Sequence, residues 1–427
     1  MKKIESTKIL ILLTLFSSAL FSIITPMAKE LTLALNLEGQ EQVAFINSMF
    51  LIVGAVSSLV WAILGDQFSR KKLLIIATLE WAILTFLTIF ATNFYSLLIY
   101  QIFAAIGFGA ALPLVFSLNV DLVKPENRGR KFGILSATYV LGNGVGQMLS
   151  GFLIDFYTWQ VPILIISIGG FVCTALLFSI KEPNKGAMDD LYKSIDDKSL
   201  GLSYKIKITD FKEILKVRST ICILILNFVM FISIGAISSF FISMLKNDYL
   251  LPSTIATLFL IIVFGGQVPS GPFFGKMADR KRERDKNGRI KVVLMCLFGG
   301  SSLYIIAYSL VFISKDLIVA IAFLIFAFCG AFLLGGIDPC TQATLGEINP
   351  PQTRSTIYSI NFLATITIGR SISLLILSQL YLRFNYQYSP GYLVLSIMAL
   401  ACTLFVIPIL KILPRDIDRI KSSVKTE

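Results

Sequence analysis

The sequence predicts an all-α membrane protein with twelve transmembrane helices, arranged as two six-helix bundles, and with both termini in the cytoplasm. Three observations support this fold class: the composition, the length of the apolar blocks and the distribution of basic residues. Hydrophobic residues make up 55% of the 427 positions and charged residues only 15%, whereas soluble domains average about 25% charged residues. Such a composition is typical of a chain that lies mostly in lipid.

The apolar residues form twelve blocks, each close to the roughly 20 residues that a membrane-spanning helix needs. The blocks do not alternate apolar with polar residues, which argues against a transmembrane barrel and favours helices. The predicted spans are 9–27, 43–65, 73–92, 95–118, 133–153, 160–180, 219–245, 254–277, 292–314, 317–339, 355–381 and 390–413.

The basic residues are sorted by loop. Of the 38 lysines and arginines, 33 fall at the termini or in alternate loops, which is the bias of cytoplasmic loops. The net charge of +12 therefore indicates membrane topology, and we predict no nucleic-acid partner. The expected surroundings are the lipid bilayer of a plasma (inner) membrane, in which we expect a monomer.

Several function classes find no support in the residues. The chain has no histidine, which removes histidine metal ligands and a histidine general base. It also has no glycine-rich GK[ST] phosphate loop. We therefore predict no metal site, no cofactor and no enzyme, although a lipid-acting membrane enzyme remains an alternative. A proton or another ion gradient is the remaining energy source.

A polar segment divides the spans six and six. Residues 181–218 contain nine basic and seven acidic residues, as expected of a solvated cytoplasmic linker. The predicted domains are an N-terminal bundle over 1–180, the linker over 181–218, a C-terminal bundle over 219–414 and a cytoplasmic tail over 415–427.

The two halves carry matching landmarks after spans four and ten. Successive landmarks are 8, 4 and 3 positions apart in both halves. This repetition argues for a duplicated six-helix unit, with a substrate site between the halves near the middle of the membrane. The landmarks are Pro113, Asp121, Pro125 and Arg128 in the first half, and Pro339, Glu347, Pro351 and Arg354 in the second.

An acid followed by a basic cluster occurs once in each half, as LGDQFSRKK over 64–72 and as GKMADRKR over 275–282. A carboxylate at such a junction can bind the positive N-terminus of another helix, which contributes roughly 0.3–2 kcal/mol. A contact of this size biases two conformations and can still break in every cycle. We expect partners near Thr356 and in the loop over 128–131. The predicted latch residues are Asp66, Arg70, Asp279, Arg280, Arg128, Arg130, Glu347 and Arg354.

Both stretches resemble the signature loop of the major facilitator superfamily, G-x-L-a-D-R-x-G-R-K. The first copy fits through Asp66 and Arg70 but departs at Gln67, and the second fits through Asp279 and Arg280. The resemblance implies secondary transport by alternating access, with the acids holding two bundles together on the cytoplasmic side.

Span five resembles the glycine pattern of antiporters in this superfamily. Glycines on one helix face let two helices approach closely, whereas Gln147 stands where the pattern has proline. We predict helix packing by these glycines, and antiport remains open. The glycines are Gly133, Gly142, Gly146 and Gly151.

Four stretches resemble the spinster family: GDQFSRKK, NRGRKFGILSATYVLGNGVGQMLSG, KEPNKG and TRSTIYSINFLATITIGRSIS. That resemblance implies a small amphiphilic substrate, such as a lysophospholipid or a sphingolipid. The charged centre differs, since Gln101 and Phe108 stand where that family has Arg and Glu, and Arg370 where it has Asp. A broad-specificity drug or metabolite proton antiporter is the alternative.

Ionisable groups within spans are expensive in lipid and are therefore functional candidates. Asp338 is the predicted proton site, unless it is a helix-end carboxylate. Arg370 could bind a phosphate or carboxylate, or pair with Asp338, and Glu80 is predicted to be structural. The neutral candidates for the substrate or proton site are Gln101, Asn143, Gln147 and Asn227.

Overall fold

A computed structural model describes residues 6–154, 156–188, 217–238, 240–385 and 387–423. The described residues form helices and turns, which confirms the predicted all-α class. Most of the predicted linker, 181–218, lies outside the described residues, as do the last four residues of the predicted tail.

The described residues form nineteen α-helices, which are joined mostly by short connections. The helices outnumber the predicted spans because several spans consist of two helical pieces. Their bounds are α1 Ser6–Ser22, α2 Ala28–Ala34, α3 Gln40–Gln67, α4 Arg70–Thr88, α5 Phe94–Phe108, α6 Ala111–Leu122, α7 Arg128–Leu153, α8 Gln160–Leu177, α9 Arg218–Ile234, α10 Phe241–Asp248, α11 Ser253–Gly265, α12 Gln267–Arg284, α13 Gly288–Ser309, α14 Leu317–Leu334, α15 Ile337–Ile348, α16 Arg354–Phe362, α17 Arg370–Arg383, α18 Ser389–Ala401 and α19 Thr403–Ser423.

The ends of several helices follow from local chemistry. Helix α4 begins after Ser69, whose hydroxyl accepts a hydrogen bond from the Lys72 amide at 3.2 Å. Asn93 and Ser96 form a reciprocal capping box at the start of α5. Between α16 and α17 the chain forms a π-helical segment over Leu363–Gly369. Such wide turns are rare and occur frequently at functional sites.

Nine helical stretches in the described part of the chain are long and apolar enough to cross a membrane. The other three predicted spans correspond to α4, α7 and α9. Helix α9 is apolar but has only 17 residues, whereas α4 and α7 begin with basic residues. The prediction of twelve spans therefore includes three helices that length and apolarity alone do not select.

The first of two compact units consists of Met1–Lys124, Thr138–Asp210 and Pro350–Leu363. In this unit α4 packs on α5 and α8, and α3 packs on α5. Helix α16, from the second half of the sequence, packs against α3 and α6 of the first half. The core includes Trp81, whose ring lies against the backbone of Gly170 on α8.

The second compact unit consists of Pro125–Ala137, Phe211–Asn349 and Ala364–Glu427. Helix α13 packs on α14 and α18, α12 packs on α13 and α15, and α9 packs on α19. An aromatic cluster fills part of this core, where the rings of Tyr308 and Tyr392 stack at 5.1 Å between centroids.

The units differ from the two predicted bundles by two short segments, 125–137 and 350–363, each of which packs with residues of the other half of the sequence. These segments end at Ala137 and Leu363, which are 226 positions apart, the same separation as Arg128 and Arg354. The division of the chain therefore follows the internal repeat. It also places a unit boundary inside α7 and another at the π-helical segment.

Close backbone approach joins α7 and α12 in the second unit. A Cβ atom added at Gly133 would overlap the carbonyl group of Gly271, and one added at Gly275 would overlap that of Gly129. Two glycines four positions apart on each helix therefore face one another, which is the geometry that small residues permit between membrane helices.

The other glycines of the antiporter-like pattern differ in their surroundings. Gly142 and Gly146 lie against α1 in the first unit, where an added Cβ would overlap Leu15 and Ala19 respectively. Gly151 has open space at its Cβ position. No atom of the described residues lies within 4 Å of that position, so the packing role predicted for Gly151 is wrong.

The Gly133→Ala substitution should destabilise the protein, because the added methyl group overlaps the α12 backbone and the helices must separate. Overpacking of this kind costs about 1–3 kcal/mol. Gly151→Ala is the matched control on the same helix, and it should be neutral or slightly stabilising. Thermal unfolding of the purified protein in detergent would measure both, and equal melting temperatures for the two variants would contradict the assigned crossing.

Candidate functional site

Asp66 at the end of α3 caps the first turn of α16 within the first unit. Its two carboxylate oxygens accept hydrogen bonds from the amides of Ser355 and Thr356, each at 2.9 Å. The carboxylate is buried. It thus lies on the positive end of a helix dipole, where a negative charge is favoured. The contact expected near Thr356 is present, and its role in transport stays a prediction.

A buried ion-pair cluster lies beside this cap. Asp121 pairs with both Arg70 and Arg354, the latter at 2.9 Å. All three side chains are at most 1% exposed to solvent. A second amino group of Arg70 donates to the carbonyl of Pro351 at 2.9 Å. Removing one partner of such a buried pair typically costs 3–5 kcal/mol, so each residue depends on the others.

The chain that follows α8 closes over the cluster. The Glu182 carboxylate accepts hydrogen bonds from the Ser69 hydroxyl and, at 2.8 Å, from the Arg70 amide. The Gly186 amide donates to Asp121 at 3.0 Å. Gly186 has a φ of +79°, a left-handed conformation that favours glycine. The KEPNKG stretch, known from the sequence only as a resemblance, thus supplies part of the site.

Lys185 completes this closing segment. Its ammonium group donates to the backbone carbonyl of Asp66 at 2.5 Å. Burial, together with the neighbouring Arg70 charge, lowers the pKa of Lys185 to about 8, although the nearby carboxylates of Asp66, Glu182 and Asp121 oppose this shift. The charge of this side chain therefore changes close to physiological pH.

The second unit repeats the carboxylate cap. The oxygens of Asp279 near the end of α12 accept hydrogen bonds from the amides of Gly129 and Arg130, each at 2.9 Å. These amides belong to the first turn of α7, so a second carboxylate lies at the positive end of a second helix. Arg130 takes part through its backbone, because its side chain is exposed.

Arg289 is the central cation of this second cluster, and the sequence analysis did not identify it. Its guanidinium binds Asp279 at 2.8 Å, Glu347 at 2.6 Å and the Pro125 carbonyl at 2.6 Å. Arg282 also pairs with Glu347. Arg289 is almost fully buried, as Arg70 is in the first unit.

The two clusters share a central arginine that binds one acid and one proline carbonyl. Arg289 corresponds to Arg70, since each binds an acid of the repeat and the carbonyl of a repeat proline. Buried Arg128 interacts electrostatically with Glu347. Arg280 was expected to belong to the second latch, but it is exposed. It follows Asp279 directly, and adjacent residues of a helix face different directions.

Asp338 on α15 has neutral hydrogen-bond donors. The Ser136 hydroxyl donates to one oxygen at 2.5 Å, and the Gln342 amide donates to the other at 2.9 Å. Both of these donors are neutral, and the pairing of Asp338 with Arg370 that the sequence left open remains a prediction. A carboxyl with neutral donors can exist with or without a proton.

Arg370 begins α17, directly after the π-helical segment. Its backbone and Cβ lie against Gly235 at the end of α9, within 3.3 Å of where a Cβ of Gly235 would be. The side chain is half-buried. The wide turn of the π segment therefore positions the only arginine that the sequence analysis places inside a span.

Two of the four neutral candidates donate hydrogen bonds to residues of the same or the preceding helix. Gln101 on α5 donates to the Thr88 hydroxyl on α4 at 3.0 Å. Asn143 donates to the Tyr139 carbonyl of its own helix at 3.0 Å. Gln147 is exposed, and Asn227 is buried on α9. The first three belong to the first unit and Asn227 to the second, and their predicted substrate roles remain predictions.

Comparison with known proteins identifies the family. The profile of the Major Facilitator Superfamily matches residues 10–284 and 223–426. The chain belongs to the major facilitator superfamily. It is therefore an integral, multi-pass membrane protein. Solved structures agree with the fold: a proton:xylose symporter XylE bound to 6-bromo-6-deoxy-D-glucose has a TM-score of 0.67 at 17% identity, and the alignment covers 93% of this chain and 94% of that chain.

Curated relatives are similar over shorter stretches. The Bacillus subtilis uncharacterized MFS-type transporter YhcA is 29% identical over 35% of this chain and 29% of its own length. The putative niacin/nicotinamide transporter NiaP of the same organism is 27% identical over 39% of this chain and 40% of its own. The Streptococcus pneumoniae multi-drug resistance efflux pump PmrA is 29% identical over 33% and 36%. The matched part of the chain thus spans less than half the length of each of these relatives.

The Asp66→Asn and Asp279→Asn variants should loosen different helix starts. Loss of a carboxylate cap worth roughly 0.3–2 kcal/mol should speed hydrogen exchange about 2- to 30-fold at the amides it binds. Mass spectrometry should find the effect of Asp66→Asn at Ser355 and Thr356, and that of Asp279→Asn at Gly129 and Arg130. Each variant is the control for the other. Equal effects of both variants at both helix starts would contradict the assignment.

Lys185 should give the protein a pH-dependent stability above pH 8. Because its pKa is lowered on folding, the unfolded chain binds more protons between about pH 8 and the ordinary lysine value near 10.4. The contribution of this group therefore rises with pH across that window. Melting temperatures at pH 7.5 and 10 should shift in favour of wild type relative to Lys185→Met. The exposed Lys181→Met control should parallel wild type, and a parallel profile for Lys185→Met would refute the assignment.

Proposed function

We propose that this protein is a secondary active transporter that moves a small amphiphilic organic solute by alternating access. The observation that carries the proposal is the pair of matching carboxylate caps, Asp66 on α16 and Asp279 on α7. Each cap joins residues from opposite halves of a duplicated sequence. Contacts worth roughly 0.3–2 kcal/mol each can form and break during a cycle of conformational change.

The buried ion pairs beside each cap set how strongly a latch holds. Arg70 with Asp121 in the first unit, and Arg289 with Glu347 in the second, link the caps to carbonyls of the neighbouring turn. We expect these arginines to keep each acid oriented toward its helix. Loss of either arginine should then slow transport by weakening one conformation.

Asp338 is the proposed coupling residue. Its carboxyl accepts hydrogen bonds from a hydroxyl and an amide, and both neutral donors can stay beside it whether or not it carries a proton. The chain carries no glycine-rich GK[ST] loop for nucleotide binding, and an ion gradient is the proposed energy source. Arg370 is the proposed contact for an anionic head group, since a guanidinium binds phosphate and carboxylate oxygens in a fork.

The proposed substrate class, lysophospholipid-like amphiphiles, rests on the spinster resemblance of four local stretches. A broad-specificity drug or metabolite proton antiporter is the second candidate. It is favoured by the names of similar proteins, among them multidrug resistance protein 3 of Bacillus subtilis and the efflux pump PmrA. The antiporter-like glycines of α7 also favour it. A plasma (inner) membrane location and a monomeric state belong to the same proposal.

Uptake into liposomes tests coupling and substrate class together. With purified protein and labelled lysophosphatidylcholine, an imposed pH gradient should drive uptake into wild-type vesicles. Asp338→Asn should lower gradient-driven uptake at least tenfold, because the amide cannot exchange a proton. Asp316→Asn, which changes an exposed loop carboxylate bonded to Ser314, should retain uptake.

The outcomes separate the two candidates. Transport of cationic drugs without lysophosphatidylcholine movement would favour the antiporter. An Asp338→Asn variant with undiminished gradient-driven uptake would remove Asp338 from the coupling step. Failure of wild type to move any of these solutes would contradict the proposed transport.

A further inference from the structure

Cys296 on α13 and Cys340 on α15 are buried cysteines of the second unit that the proposed transport cycle does not use. Cys296 follows Arg289 by seven positions, and Cys340 precedes Glu347 by seven positions. Positions seven apart lie on the same face of a helix, about 10 Å apart along its axis. Each cysteine therefore lies about two turns from a residue of the second ion-pair cluster, on the side that faces the other helix.

The ion pair between Arg289 and Glu347 sets the alignment of these two helices. The two side chains meet at 2.6 Å, near the beginning of α13 and near the end of α15. Because the two helices also pack against each other, they run in opposite directions. Two turns from the ion pair, α13 reaches Cys296 and α15 reaches Cys340 at the same level.

The surroundings of the two thiols agree with this alignment. Both side chains are fully buried, and the Cys340 thiol interacts electrostatically more strongly with Cys296 than with Arg289. The Cys340 thiol also donates a long hydrogen bond, of 3.9 Å, to the carbonyl of Phe274 on α12. A thiol is a weak donor, so this contact does little to hold Cys340 away from Cys296.

Two neighbouring thiols can be joined by oxidation. Polar reagents do not reach buried thiols, which are therefore inert toward them, so the oxidant must be small and soluble in lipid. Molecular iodine has these properties. One thiol reacts with iodine to give a sulfenyl iodide, a proton and iodide. The second sulfur then displaces iodide, releases its own proton and forms the sulfur–sulfur bond.

We propose that Cys296 and Cys340 form an oxidisable dithiol, which a small lipid-soluble two-electron oxidant converts into a disulfide that joins α13 to α15 and stops transport. The dithiol follows from the alignment of the two helices alone. Its effect on transport rests on the proposed function.

The path of span ten explains the expected effect. This span is interrupted at Gly335 and Gly336, between α14 and α15, whereas α13 is one continuous helix that packs on both pieces. A disulfide from α13 to α15 prevents the interruption from changing its angle. Asp338, the proposed coupling residue, precedes Cys340 by two positions, so oxidation also holds the coupling residue in one place.

Treatment of the full chain in lipid nanodiscs with molecular iodine tests the dithiol. Mass spectrometry of unreduced peptides should find the segments containing Cys296 and Cys340 joined, with the loss of two hydrogen atoms, and dithiothreitol should separate them. Cys296→Ala should abolish this product. Cys173→Ala, which removes an equally buried thiol from the first unit, should retain it. Absence of the joined peptides from wild type would mean that the cysteines only pack, which overturns the proposal.

Moving one thiol by a single position tests the alignment. In a double variant, Cys296→Ala with Leu297→Cys, the thiol turns by about 100° around the helix axis. The yield of the product with Cys340 should then fall at least tenfold. An equal yield in this variant and in wild type would refute the facing geometry.

Uptake into liposomes separates the dithiol from the proposed function. Iodine should lower the uptake of labelled lysophosphatidylcholine by wild type at least tenfold under an imposed pH gradient, and dithiothreitol should restore it. Cys296→Ala should keep its uptake after iodine. A joined product with undiminished uptake would overturn the proposed effect on transport. Wild type that forms the product but moves no solute even before oxidation would support the dithiol and contradict the proposed transport.

Discussion

The structure depends on one interaction made twice: a buried carboxylate that accepts two backbone hydrogen bonds at the start of a helix. Asp66 binds the first turn of α16, and Asp279 binds the first turn of α7. The helix end supplies two amides and a favourable dipole. Since these helix starts come from the opposite half of the sequence, each acid joins segments of both halves within one compact unit.

The surroundings of the two acids show how one geometry is kept with different residues. Where α7 crosses α12, four glycines bring the backbones together. The corresponding crossing of α3 and α16 uses a hydroxyl pair, Ser58 and Ser359, whose oxygens are 2.8 Å apart. Both crossings rely on small side chains, but only the first unit has a closing segment that carries Lys185. Lys185, whose pKa is lowered to about 8, therefore lies beside the first of the two acids.

Much of the fold and part of the site could be predicted from the sequence, because both are encoded by spacing. Long apolar blocks predicted the helices, and the acid followed by a basic cluster in each half predicted Asp66, Asp279 and their helix partners. Arg289 was missed because it follows its acid by ten positions, whereas Arg70 follows by four. Arg280 was wrongly included because a sequence motif gives the order of residues but not the face of the helix on which each side chain lies. Gly151 was misassigned because packing depends on a neighbour that a single helix cannot reveal.

The exchanged segments have a consequence for synthesis of the protein in the membrane. Asp121 is made 233 residues before Arg354, its partner, which at 5–20 residues per second is a delay of roughly 10–50 s. During that time the first six spans are inserted while Asp66 and Asp121 lack the helix that satisfies them. In the nascent first half Arg70 already pairs with Asp121, whereas the two amides that bind Asp66 arrive only with the eleventh span. The cap of α16 by Asp66 is therefore a late event, which can form only after that span has left the ribosome.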